Sequence, residues 1–364
     1  MSQRAIPFMQ LRGGSSKGLY FLARDLPADP MLRDQVLLAA MEGVGPGDPR
    51  QIDGLGGADS LTSKAAIVNL SDRPDADLDY LFLQIVIGGG YVATTQNCGN
   101  ILAGVLPFAI EAGLWPAQAP TTTATIHMVN SQSLCDVTVP TPGGQVNYAG
   151  DARVDGVPGT AAPILCNYRD LAGAITGALL PTGNLVDYVD GIAVTAVDNG
   201  MPVVILRAAD LGISGYESKA ELDGNEPLKA RLEAIRQAIG PQMNLGAVAA
   251  QTVPKMCLIS APRQGGFINT RTFIPHVCHA AVGVLGAISA ATACLLPGSV
   301  AAGVAHRPET NPTQLAIEHP AGSFTVDLDI AWHDGAWQVR RSGAIRTARL
   351  LSRGELYIPA GIWD

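Results

Sequence analysis

Residues 192–211 read Ile192-Ala193-Val194-Thr195-Ala196-Val197-Asp198-Asn199-Gly200-Met201-Pro202-Val203-Val204-Ile205-Leu206-Arg207-Ala208-Ala209-Asp210-Leu211. Two β-branched, apolar runs (192–197 and 203–206) flank an Asp-Asn-Gly turn, which predicts a strand, a tight reversal and a second strand. The same order stands near the N-terminus: a strand at 6–11, a Gly/Ser turn at 13–18, a strand at 19–22, then Ala23-Arg24-Asp25-Leu26. A second element recurs at a similar spacing. Asn97-Cys98-Gly99-Asn100 is read as opening an apolar helix through 112, and His276-Val277-Cys278-His279 another through 296. The stops Leu114-Trp115-Pro116 and Leu295-Leu296-Pro297 follow them, as expected where helices end. Two elements repeated in one order predict an internal duplication.

Working outward, strands are predicted at 65–70, 81–87, 123–129, 135–139 and 256–260, and a hairpin at 324–332 and 337–345 around His333-Asp334-Gly335-Ala336. Surface helices are predicted at 31–42 and 226–239. Many strands, few helices and two similar halves make an α+β protein with a cleft between halves. The halves are expected at 1–185 and 186–364, dividing within 181–190, with the last strand able to return to the first half.

The 364 residues are 47% hydrophobic and 15% charged, with mean hydropathy +0.21. That is the balance of a globular enzyme with a large core. Aromatics are only 5%, whereas Gly (41) and Pro (25) abound, so aliphatic side chains and tight turns must build the core. Net charge is −8 and no Lys/Arg cluster stands out, which argues against nucleic acid and anionic lipid as partners. Residues 280–296, interrupted by Ser289 and Thr292, are too short to span a bilayer comfortably and read as a buried helix. The N-terminus lacks a secretory apolar region, so a cytosolic protein with reduced thiols is expected. None of the six cysteines forms a CxxC pair and the histidines show no ligand spacing, so no metal is expected.

Lysine is used sparingly: five (Lys17, Lys64, Lys219, Lys229, Lys255) against nineteen arginines. Two of the five lie in Gly/Ser loops, Arg12-Gly13-Gly14-Ser15-Ser16-Lys17-Gly18 and Asp53-Gly54-Leu55-Gly56-Gly57-Ala58-Asp59-Ser60-Leu61-Thr62-Ser63-Lys64. Glycine lets backbone amides approach an anion, and the hydroxyls add donors. A lysine at the margin of such a loop is a cationic clamp or, once desolvated, a neutral base; the plain alternative is a solvated turn lysine. The loop lacks the Walker order, so nucleotide binding is weakly supported. Cys98 is the second candidate. At a helix start beside Gly99, it is an acid/base thiol or part of a carboxylate cradle, the field there favouring an anion by ~0.3–1 kcal/mol. His279 holds the matching place in the second half, as a neutral donor or base. The other cysteines read as structural.

On these residues the chain resembles the PrpF-type isomerases of the diaminopimelate-epimerase-like fold, and among them the 4-oxalomesaconate tautomerases. The residues that carry the resemblance are 12–18, Gly56-Gly57-Ala58-Asp59-Ser60 with Ser63-Lys64, Asn97-Cys98-Gly99-Asn100, 197–202, Val253-Pro254-Lys255, and the His279 segment through Pro297-Gly298. The resemblance implies two barrel-like halves, each around a central helix, with the active site in the cleft between them. It also implies no cofactor, a small di- or tricarboxylate as substrate, and a homodimer. It makes Lys64 the base, with Cys98 at the position of one of the two acid/base cysteines of the epimerases. The partner thiol is replaced by His279, with Cys278 one step off.

The implied reaction is a 1,3-allylic shift. Neutral Lys64 removes a C–H proton vinylogous to a keto group, and Lys64 or Cys98 returns it two carbons away. Ser15, Ser16, Lys17, Ser63, Asn97, Gly99, Asn100, Arg271, His279 and Ala280 are expected to hold the substrate. Competing readings are cis–trans isomerisation of 2-methylaconitate, two-base racemisation by Cys98 and Cys278, and a carboxylate-binding accessory to a dehydratase.

Overall fold

The computed structural model describes residues 3–45, 47–94, 97–307 and 313–363. The chain divides into two compact units, 1–166 with 345–364, and 167–344. The division at 166/167 lies upstream of the 181–190 stretch, and the final strand belongs with the first unit.

The first unit runs β1 (Gln3–Gly13), β2 (Ser16–Leu22), α1 (Pro30–Glu42), β3 (Lys64–Leu70), β4 (Leu78–Val86), β5 (Tyr91–Ala93), α2 (Gly99–Leu102), α3 (Val105–Glu111), β6 (Thr121–Met128) and β7 (Ser133–Pro140). β8 (Ile164–Tyr168) carries the chain into the second unit. There follow β9 (Asp187–Val189), β10 (Ile192–Asp198), β11 (Pro202–Arg207), α4 (Lys219–Asp223), α5 (Glu226–Ile239), β12 (Lys255–Ser260), β13 (Ile268–Phe273), α6 (Val284–Leu295), β14 (Gln314–His319) and β15 (Gly322–His333). β16 (Ala336–Arg346) leads out, and β17 (Ala348–Pro359) pairs antiparallel with β1.

The duplication is visible in strand topology. In the first unit β1–β2 is antiparallel, β2–β3 parallel, β3–β4 antiparallel, β4–β6 parallel and β6–β7 antiparallel. In the second, β10–β11, β11–β12, β12–β13, β13–β14 and β14–β15 repeat those five senses in order. Helices occupy matching connections: α1 and α4/α5 in the first parallel crossover, α2/α3 and α6 in the second. Parallel neighbours need such long crossovers, which is why the helices sit there.

Local chemistry sets the helix ends. Asp29 caps α1 by accepting from the Leu32 amide at 2.8 Å, Pro30 opens it, and Gly43, at φ +83°, closes it. Asn225 caps α5 in the same way, from Leu228 N at 3.2 Å. The buried face of α1 packs with Leu19, Phe21, Ile67, Leu83 and Ile85. That of α5 packs with Val194, Leu206, Met256 and Leu258.

Two helices differ from expectation. The one read over 97–112 is broken into α2 and α3, because Pro107 has no N–H to donate to Ala103 O, and Gly104 turns instead onto Ile101 O at 2.9 Å. The one read from 276 starts only at Val284, after the extended N-cap Gly283. Residues before it are held in sheet-like geometry: Phe273 bridges Cys278, and His279 N donates to Thr272 O at 2.7 Å. The polar interruptions of that apolar helix have partners. Ser289 Oγ accepts from Asn199 N at 3.0 Å, and Thr292 Oγ1 from Asn199 Nδ2 at 2.9 Å, so they pin the 198–200 turn. No helix among the described residues is long and apolar enough to cross a membrane.

Candidate active site

Lys64 is the first residue of β3. Its Cα neighbours are Gly18 on one side and Gln84 on the other. Gly18 is required there, since a Cβ would lie 2.7 Å from Lys64 O. The side chain is 7% exposed, and among the described residues no carboxylate stands within ion-pair distance. Its amine donates to Gln84 Oε1 at 2.5 Å and lies 5.2 Å from the Phe82 ring centroid. Gln84 is itself fixed. Its Nε2 donates to Ser63 O at 3.0 Å and to Ser60 O and Ile85 O at 3.2 Å, which forces the amide oxygen toward Lys64. Burial pushes the Lys64 pKa below its ordinary value, while the charges of Cys98 and Asp59 pull it partly back up. A neutral amine can still give one hydrogen to Gln84 and keep a lone pair for a carbon acid.

Cys98 precedes α2 in extended conformation, and its half-buried thiol is free. Its carbonyl accepts from Tyr80 Oη at 3.2 Å, and Tyr20 Oη donates to Ile101 O at 2.7 Å. Burial first, then the Cys98 charge, pushes the Tyr20 phenol well up, so it remains a donor. Close packing holds α2 against the β1–β2 turn. A Cβ on Gly13 would sit 2.3 Å from Asn100 O, one on Gly14 2.1 Å from Asn100 Oδ1, and one on Gly104 2.3 Å from Tyr20 Oη. Asn100 Nδ2 donates to Ser15 Oγ at 3.1 Å, and Asn97 Nδ2 donates to Ser131 Oγ. Lys64, Gln84, Cys98, Gly99, Asn100 and Ser15 therefore belong to one neighbourhood. Gln84, Tyr20 and Tyr80 are its residues that sequence reasoning missed; a Gln within the apolar run 78–86 was the available signal.

Other expected residues lie elsewhere or are occupied. Ser63 is fully buried and its hydroxyl donates to Gln51 Oε1 at 2.6 Å, so it anchors the loop rather than facing a ligand. The glycines of that loop serve packing. Gly54 N donates to Gln51 O and Gly56 N to Met41 O, while a Cβ at Gly54 would meet Met41 C at 2.2 Å. Lys17 neighbours Gly18, the residue paired with Lys64, so the pleat turns it to the opposite face of the sheet. It lines a cavity of about 620 Å³ with Arg12, Ser15, Ser16 and Arg349, which Lys64 does not line.

In the second unit, Arg271 gives Nε to Glu217 O at 2.8 Å and Nη1 to Asn269 Oδ1 and Thr270 O at 2.9 Å, so most of its donors are already taken by the protein. His279 and Ala280 lie in the segment before α6, not at its first turn. His279 Nδ1 accepts from Ala281 N at 2.9 Å, which places the neutral ring's hydrogen on Nε2. Burial foremost, then the charges of Lys255 and Lys219, push its pKa down. Cys278 is 1% exposed, and burial with the Asp223 charge raises its thiol to about 11. A thiol so held is a poor second base. Among the described residues no cluster of His, Cys, Asp and Glu is arranged to hold a metal.

The model of the PrpF protein family matches residues 3–359. The chain is 55% identical to a 4-oxalomesaconate tautomerase of Pseudomonas putida, over 100% of this chain and 99% of that one. It is also 55% identical to a (4E)-oxalomesaconate Delta-isomerase of a Novosphingobium species, over 97% of each. A crystal structure of methylitaconate-delta-isomerase superposes with TM-score 0.89 at 34% identity, covering 100% of this chain and 99% of that one. The two-unit α+β architecture is thus that of a known isomerase, and the chain belongs to the PrpF family.

Proposed function

We propose that this protein is an isomerase that shifts the carbon–carbon double bond of 4-oxalomesaconate, with Lys64 as the base. The observation that carries the reading is the buried Lys64 amine, with no carboxylate partner among the described residues and oriented by a fixed amide oxygen. The identity to two enzymes bearing 4-oxalomesaconate in their names supports the choice of substrate.

The chemistry is redox-neutral. The Lys64 lone pair takes the proton from carbon vinylogous to the keto group, and the C–H electrons spread into a dienolate. The same proton, or one from the Cys98 thiol, then adds two carbons away, so substrate and product differ only in where one hydrogen and one π bond lie. Developing oxygen charge needs donors already in place. The Asn100 side chain, the Ser15 hydroxyl and the Gly99 amide are the donors grouped near the thiol.

The test is proton NMR and ultraviolet absorbance of 4-oxalomesaconate in D2O with the wild-type protein and Lys64→Met. The proposal expects conversion with wild type and none above background with the variant. No deuterium uptake and no absorbance change with wild type ends the substrate assignment. Unchanged turnover by Lys64→Met ends the assignment of the base. Parallel rates on 2-methylaconitate rank the two acids.

A further inference from the structure

The cavity that Lys64 does not line is floored by an unusual row. Arg349 of β17 is the Cα partner of Arg12 of β1, and Arg12 is the partner of Lys17 of β2. Directly opposed residues share a face, so three cations from three adjacent strands stand side by side over one cavity of about 620 Å³. That volume is in the range of small-molecule sites. Like charges so placed repel, and folding has no need of them in a chain with net charge −8. Among the described residues none of the three has a carboxylate within ion-pair distance. Arg12 is held in place: its Nη1 donates to Gly14 O at 2.8 Å, Thr347 O at 3.1 Å and Thr347 Oγ1 at 2.9 Å. Burial, then the facing Arg349, pushes the Arg12 pKa down.

We propose that the cavity floored by Arg349, Arg12 and Lys17, whose side chains stand on the face of the β1–β2–β3 sheet opposite Lys64, binds a small multivalent carboxylate. Guanidinium forks take carboxylates in bidentate fashion, and Lys17 adds a point charge. Tyr148 and Leu351 give apolar wall for a carbon backbone. The proposal does not depend on the reaction at Lys64, because it concerns binding alone.

Titration calorimetry of the full chain at low ionic strength tests it, with propane-1,2,3-tricarboxylate as probe. Arg349 is the exposed member of the row, so Arg349→Gln changes the site without touching the core. Arg349→Gln is expected to weaken the tricarboxylate by about tenfold or more, and Arg349→Lys by about threefold at most. Lys64→Met is expected to leave that component within about twofold, because it acts on the opposite face. Wild-type affinity in Arg349→Gln overturns the proposal, as does an equal loss in Lys64→Met. Inorganic phosphate binding as tightly as the tricarboxylate, and equally lost in Arg349→Gln, overturns the assignment to carboxylates.

Discussion

Two lysines occupy one topological position. Lys64 begins β3 and Lys255 begins β12, each on a strand parallel to its predecessor and antiparallel to its successor. Burial pushes both pKa values down. Their settings then diverge. Lys64 is paired across the strand with Gln84, which accepts from its amine, and feels the Cys98 and Asp59 charges that favour its proton. Lys255 feels instead the cation of Arg236, whose guanidinium is tied to Val253 O at 3.0 Å just before β12. The lesson is that duplication supplies two desolvated amines but only one is aimed. Orientation by an amide, with an adjacent thiol, separates a candidate base from a lysine that shares only its place in the fold.

That comparison can be broken most forcefully by removing each amine. Lys64→Met is expected to lower kcat by about 10³-fold, the weight of a general base, and Lys255→Met by less than about tenfold. Steady-state absorbance kinetics decides, and equal losses would erase the distinction. Lys64→Met also has a stability consequence whose sign is fixed. The folded pKa lies below the unfolded one, so wild-type stability rises with pH from that depressed value toward the ordinary ~10.4. The variant lacks this slope and at neutral pH gains about 1 kcal/mol, measured by urea melts across pH.

Gln84→Leu sharpens the comparison by making the setting of Lys64 more like that of Lys255. It is expected to reduce kcat by about 10²-fold with KM within about threefold, and to cost about 1–3 kcal/mol because Ser63 O loses a donor. A pure rise in KM would contradict the aiming role. The hairpin turns offer a structural pair. Gly13→Ala must push a Cβ against the Asn100 backbone oxygen and is expected to cost about 1–3 kcal/mol. Gly200→Ala meets only the movable Leu171 side chain, but at φ +89° it is strained by about 1–2 kcal/mol. Gly13→Ala alone should also impair kcat, since it displaces α2. The smallest effect is expected of Cys98→Ala on the pH profile. Removing a charge that raises the Lys64 pKa moves the rising limb of kcat/KM to lower pH. A shift to higher pH would contradict the coupling.

Much of the fold was legible in the sequence. Apolar runs, β-branched in β10 and β11, marked β1, β10, β11 and the β15–β16 hairpin, and the repeated order revealed the duplication. The helix starts were not legible. Ala280-Ala281-Val282 looks continuous with α6, but the helix begins only after the extended N-cap Gly283, and Pro107 breaks the earlier helix inside an apolar run. The candidate base and thiol were legible from lysine scarcity and a polar setting. Gln84 was not, because its meaning depends on the β3–β4 register, and neither was the row Arg349–Arg12–Lys17, which joins residues from opposite ends of the chain. The glycines at 54–57 misled, since close packing and anion cradling demand the same residue.

The five lysines make a direct measurement practical. With 13Cε-lysine labelling, the protein gives five assignable signals, and Lys64→Met identifies one of them. The account predicts that the Lys64 signal titrates below the ordinary lysine value of ~10.4, and that its midpoint falls further in Cys98→Ala. A Lys64 midpoint at or above that value would mean a solvated or ion-paired amine, and would contradict its role as the base.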